Sequence, residues 1–212
     1  MKITSTSFTD NTAIPAEFAF CAPDAKTHCT FGANRNPQLA WSGVPASAKS
    51  LVLICHDVDV PSKPDDVNKE GRTIPASLPR IDFFHWVLVD IDPKTAEIKA
   101  GEFSSGITTR GKPGPHVPNA AHGARQGVND YTMWFSGDKD MAGDYYGYDG
   151  PCPPWNDSIV HHYVFTLYAL DVAKCAVGGK FTGGDVRAAM QGHVLAEAKI
   201  TGLYSLNPAV KV

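Results

Sequence analysis

Three apolar runs of this chain carry ionisable side chains where a strand interior would carry none. Ser50-Leu-Val-Leu-Ile-Cys55 continues into His56-Asp-Val-Asp-Val-Pro61, a second run opens Phe83-Phe-His-Trp-Val87, and a third opens Val160-His-His-Tyr-Val-Phe165. Side chains alternate along a strand, so Asp57 and Asp59 share a face with His56 opposite. By the same rule His161 and Tyr163 lie together and His162 lies opposite. If the runs are neighbours in a sheet, Asp57, Asp59, His85, His161 and Tyr163 meet at one mouth. A carboxylate that accepts a hydrogen bond from an imidazole raises its pKa and fixes its ring. The second ring N–H then points at an anionic guest, with the Tyr163 hydroxyl as a further donor. Gly150 is expected to add a backbone N–H, as glycine turns do in anion nests. Pro151, Pro153 and Pro154 have no N–H to give and stiffen the rim. With each charge-assisted bond worth roughly 1.5–3 kcal/mol, less ordering, affinity for a small anion comes out at about micromolar to millimolar.

Each residue also has a plainer role. A lone histidine at a strand end is usually a satisfied side chain, an aspartate before a Pro-rich loop usually caps a turn, and Trp41, Trp86 and Phe165 read as core aromatics. Repetition over three runs is what favours a binding pocket. Two other readings stay open. Asp57, Asp59, His85 and His161 have the donor types of a metal-dependent hydrolase, although no metal signature accompanies them. A peptidase inhibitor would instead act through the loop 64–81. No nucleophile has a suitable base, so no catalysis is expected, and neither a cofactor nor a bound metal is.

The elements around these residues read as mainly β. Lys2–Ser7 alternates polar and apolar residues, Gln38–Trp41 precedes a turn at 42–45, and the three runs are apolar on both faces, as central strands of a layered sandwich are. One helix is expected over Asp185–Ala198, with Val186, Ala189, Met190, His193, Val194 and Ala198 on one stripe. Strands do not alternate with helices, and no G-x-G-x-x-G, P-loop, H-E-x-x-H or G-x-S-x-G occurs. Segments 61–79 and 101–155 are long loops, of a length that in a compact domain is usually functional or mobile.

Composition sets the outer bounds. With 212 residues, 43% of them hydrophobic, one sizeable domain over 1–212 is expected. Nineteen Lys and Arg against 22 Asp and Glu leave no basic excess for a nucleic-acid backbone. No apolar run approaches the roughly 20 residues of a membrane helix. Five cysteines (Cys21, Cys29, Cys55, Cys152 and Cys175) are scattered without a C-x-x-C pair. The amino-terminal residues lack the apolar core of a secretory signal, so the expectation is a cytoplasmic protein with reduced thiols. Cys21 and Cys29 flank a short polar loop and could form a bridge in an oxidising compartment.

The motifs resemble those of the phosphatidylethanolamine-binding protein (PEBP) family, also called Raf-kinase-inhibitor-like proteins. Asp57-Val-Asp-Val-Pro61 resembles its D-P-D-A-P motif, Phe84-His-Trp-Val87 its H-W-V strand, and Gly150-Pro-Cys-Pro-Pro154 with His161-His-Tyr163 its Gly/Pro loop and H-R-Y signature. Segments 36–45 and 191–204 are similar to flanking parts of the bacterial branch. The resemblance implies a PEBP-like sandwich of two antiparallel sheets with a C-terminal helix. It implies a non-catalytic protein whose pocket (Asp57, Asp59, Pro61, His85, Gly150, His161 and Tyr163) takes phosphate-like anions or phospholipid head groups. It further implies a cis Val60–Pro61 bond, regulation of a kinase or peptidase as partner, and a homodimer. His162 replaces the family's arginine and removes a bidentate donor. Segments 64–81 and 132–146 look like insertions.

Overall fold

The computed structural model describes residues 1–117 and 123–212. Its strands are β1 (Lys2–Thr4), β2 (Thr12–Ala13), β3 (Cys21–Asp24), β4 (His28–Phe31), β5 (Leu39–Ser42), β6 (Ser50–Pro61), β7 (Arg80–Ile91), β8 (Glu97–Ile98), β9 (Arg125–Gln126), β10 (His161–Leu170) and β11 (Val194–Tyr204). The helices are short, α1 over Tyr131–Trp134 and α2 over Gly183–Ala189. The fold is mainly β, as expected.

One sheet of six strands runs β2-β11-β10-β6-β7-β9, a sheet of three runs β1-β5-β8, and β3 pairs with β4 in a separate hairpin. All pairings are antiparallel except that of β11 with β2. The main core lies between the sheets, where Ile3, Leu39 and Trp41 meet Leu51, Leu53, Trp86, Leu88, Phe165 and Leu167. The opposite face of the large sheet, carrying Val52, Ile54, Val87 and Val89, is covered by Phe181, Val186 and Met190. That second covering explains why β6, β7 and β10 are apolar on both sides.

The expected helix over Asp185–Ala198 is corrected. Thr182 and Asp185 form a capping box that starts α2, and the chain turns at Gly192, whose φ is +80°. The remaining residues join β11, a long strand paired to β10 from His161↔Tyr204 onward. Val194 and Ala198 fit a period of two as well as a helical stripe, and pairing with β10 decides between them.

The cysteine expectation is corrected too. Cys21 bridges Cys152, with Cα atoms 4.8 Å apart, while Cys29, Cys55 and Cys175 are free. In the β3–β4 hairpin Cys21 faces Phe31 and Cys29 faces Pro23, so the two are diagonal rather than opposed. The expected cis Val60–Pro61 bond is absent, and the cis peptide among the described residues is Gly114–Pro115. Pro61 continues the extended ladder opposite Arg80, which a trans bond permits.

Candidate functional site

The three ionisable runs are adjacent. β10 and β7 flank β6, with Asp57 opposite Tyr163 on one side and Phe83 on the other. A bulge in β7 completes the arrangement. Cys55 pairs with Trp86 and His56 with Phe84, so His85 is the extra residue and its carbonyl accepts from Asp149 N at 3.0 Å. Asp57, His85, His161 and Tyr163, together with Pro61, line one hollow of about 530 Å³, a volume suited to a small ligand.

His161 is fully buried between two carboxylates. Its Nδ1 donates to Asp57 Oδ2 at 2.7 Å and its Nε2 to Asp157 Oδ2 at 3.1 Å. Burial alone would lower its pKa, but the Asp57 charge and the bonds to both carboxylates outweigh it and hold the ring at about 9. Arg80 then grips Asp157 through two bonds of 2.5 and 3.1 Å. Burial works against the Asp157 charge, yet the His161 and Arg80 bonds keep its pKa below the ordinary value. The result is an alternating row, Arg80–Asp157–His161–Asp57, whose charges cancel. With both N–H groups engaged, His161 orders the floor and donates nothing to a guest. It also has no lone pair left for a metal, which removes it from the hydrolase donor set.

His85 behaves differently. Its Nδ1 sits 2.7 Å from Asp149 O, and a carbonyl can only accept, so Nδ1 carries the proton. Burial lowers its pKa, so the ring is neutral and Nε2, without a hydrogen-bond partner among the described residues, presents a lone pair. Beside it the Tyr163 hydroxyl is buried near the Asp57 carboxylate, across the ladder from it, and has no hydrogen bond of good geometry among the described residues. Burial first, then the Asp57 charge, pushes its pKa well above the usual phenol value, so the hydroxyl keeps its proton. An acceptor that can be protonated and an unpaired donor thus converge at the floor. Asp149 itself is buried and held by Asn34, Asn129 and Lys112.

Two expected residues lie elsewhere. The ladder is irregular between Asp57 and Val60, and Asp57 Oδ1 accepts from Asp59 N at 2.8 Å. That local twist turns Asp59 toward the edge, where it accepts from the backbone and ring of His162, each at 2.8 Å. Gly150 N donates to Asn34 Oδ1 at 2.8 Å and is not free for an anion. Its lack of a Cβ matters instead, because one there would collide with Phe18 O.

Sequence reasoning missed much of the wall. Rings run in contact from the surface to the floor: Phe31, Phe20, Tyr131, His85 and Tyr163, at centroid spacings of 5.7, 4.7, 5.5 and 5.1 Å in turn. Exposed Phe31, Ile81, Met133 and Trp134 rim the opening, at 60%, 52%, 73% and 51% accessible. Asp82 and Asp130 also line it, and no Lys or Arg does among the described residues. Asp82 is paired with Arg187, whereas Asp130 accepts from Phe84 N and, among the described residues, faces no cation within ion-pair distance. Burial raises the Asp130 pKa. Among described residues no cluster of three or more His, Cys, Asp or Glu could hold a metal ion, and no helix is long and apolar enough to cross a membrane.

Comparison with known proteins follows the same lines. A UPF0098 protein from Methanothermobacter thermautotrophicus is 36% identical over 207 residues, covering 96% of this chain and 98% of its own. The UPF0098 protein YbhB of Escherichia coli is 28% identical over 205 residues, covering 97% and 100%. The crystal structure of E. coli YbcL, described as a new member of the mammalian PEBP family, superposes with a TM-score of 0.65 at 25% identity, covering 96% and 97%. A PEBP homologue from Chlamydia trachomatis superposes at 0.62 with 26% identity, covering 96% of each chain. The family model for phosphatidylethanolamine-binding protein matches residues 4–205. The hollow at the mouth of β6, β7 and β10 therefore sits in a member of the phosphatidylethanolamine-binding protein family, to which this chain belongs.

Proposed function

We propose that this chain is a non-catalytic binding protein whose hollow takes a phosphate-type group, best in the form of a phospholipid-like head group. The observation that carries this reading is the buried Tyr163 hydroxyl beside the Nε2 of His85, neither of which has a hydrogen bond of good geometry among the described residues. An orphaned buried donor is costly unless a guest accepts from it. A phosphate oxygen suits Tyr163, and a phosphate hydroxyl, or a proton taken up on binding, suits Nε2. The charges favour a zwitterionic head group over a bare anion. The floor row is neutral, no Lys or Arg lines the hollow among the described residues, and Asp130 offers a carboxylate to an ammonium. The aromatic wall and exposed rim give an apolar body somewhere to lie. A kinase or peptidase partner, if regulated, would approach over the same rim.

Calorimetry with O-phosphoethanolamine and inorganic phosphate tests the reading. Wild type is expected to bind the former more tightly. Tyr163→Phe is expected to weaken binding by about tenfold or more, the loss of one charge-assisted bond. The same variant should be as stable as wild type or slightly more so, because it removes an unpaired buried hydroxyl. Equal affinity in the variant, or no heat from wild type at tens of millimolar ligand, would overturn the assignment.

A further inference from the structure

We propose that the Cys21–Cys152 disulfide is a redox latch on the wall of the hollow, released by a dithiol reductant; the functional consequence rests on the binding reading above. Both cysteines line the hollow, and the bond joins the β3–β4 hairpin to the Pro-rich loop 131 residues away. Just upstream the loop is well tied. Phe20 N and Cys21 N both donate to Pro151 O, at 2.9 and 3.0 Å, and Tyr131 Oη donates to Gly150 O at 2.9 Å. Just downstream Trp155 N donates to Asn68 Oδ1 at 3.0 Å. Between these points the hydrogen bonding is sparse. Pro153 and Pro154 have no N–H, and among the described residues the hydrogen bond that involves this stretch is the local turn from Asp157 N to Pro154 O at 3.1 Å. The sulfur bridge is thus the tether that holds Cys152–Pro154 against the hairpin bearing Phe20 and Phe31.

The chemistry balances with one reductant. Cys152 is the more accessible of the two, so a thiolate of the dithiol attacks Cys152 Sγ and Cys21 leaves as a thiolate that takes up a proton. The second thiol of the reductant then displaces Cys152 from the mixed disulfide. Two electrons and two protons end on Cys21 and Cys152, and the reductant ends as a disulfide. Cys29 does not compete. Burial and the Asp24 charge hold its pKa up, and the protonated thiol is a poor nucleophile. Release of Cys152–Pro154 leaves one wall of the hollow unanchored while β6, β7 and β10, and with them the floor, stay in place.

Amide hydrogen exchange and calorimetry with O-phosphoethanolamine, on full-length protein before and after treatment with dithiothreitol, test the latch. After reduction the Cys21 and Trp155 amides are expected to exchange about fivefold faster or more, while those of β6 and β10 hold their rates. Affinity should fall by a similar factor. Cys152→Ser should reproduce the reduced behaviour without reductant, and Cys29→Ser should behave as oxidised wild type. Unchanged exchange at Cys21 and Trp155 in both the reduced protein and Cys152→Ser would overturn the latch. Absence of binding by the oxidised protein would instead overturn the binding reading, with the exchange rates still deciding the latch.

Discussion

Asp57→Ala is expected to lower the free energy of unfolding by about 3–5 kcal/mol, the usual consequence of removing one partner from a buried ion pair. His161 would lose the carboxylate at 2.7 Å and keep only Asp157, which Arg80 already holds. The row would carry an excess positive charge on buried groups that solvent screens poorly, and His161 would shed its proton. Asp59 N would lose its acceptor as well. Denaturant unfolding of Asp57→Ala, His161→Ala and the double variant measures the coupling. It should exceed about 1 kcal/mol, since contacting charged groups rarely act additively. Additive single effects would show that the two side chains do not interact. A well-packed apolar replacement of such a row is often neutral or stabilising. Its presence at the floor is therefore better explained by ordering Asp57 and His161 than by stability.

Stability should pass through a maximum near pH 6.5 and fall on both sides for different histidines. The His161 pKa is raised from its ordinary value to about 9. Its stabilisation is fully present below the unfolded-state pKa of about 6.5 and is lost as pH rises through 9, a change of about 3 kcal/mol. His56 has the opposite sign. On the other face of β6, burial first and then the Arg187 charge lower its pKa to about 4. Its stabilisation is present above about 6.5 and is lost as pH falls toward 4, again by about 2–3 kcal/mol. Burial lowers the His85 pKa and adds to the acid-side loss. Urea midpoints at pH 4.5, 6.5 and 9 in constant salt check this. His161→Gln should flatten the alkaline limb and leave the acid limb intact. An alkaline limb that persists unchanged in that variant would contradict the assignment.

How much of this was legible from residue order depends on the range of the interaction. That the three runs are covered strands could be inferred because each is apolar on both faces, but that they are neighbours was only a condition, which the pairing of β6 with β7 and β10 meets. Alternation then grouped Asp57, His161 and Tyr163 correctly. It failed at Asp59, where an irregular ladder turned the side chain to His162. It could not show the bulge that makes His85 the extra residue in β7, because a bulge arises from pairing rather than from local pattern. Arg80 and Asp157 left a faint signal, a charge at the start of each run's approach, but only the folded chain shows them in one row. The Cys21–Cys152 bridge and the occupied N–H of Gly150 are contacts more than 100 residues apart, beyond any local rule. Segment 185–198 misled because residues such as Val194 and Ala198 there satisfy both periods.

Titration of the His85 ring by NMR, with and without O-phosphoethanolamine, tests the binding role most directly. Because Nδ1–H is fixed on Asp149 O, a phosphate at the floor must meet Nε2, where negative charge favours the proton. The His85 pKa, low in the free protein, is expected to rise by about one unit or more in the complex, with His161 unmoved below pH 8. A His85 curve that is the same with and without tens of millimolar ligand would contradict the binding role.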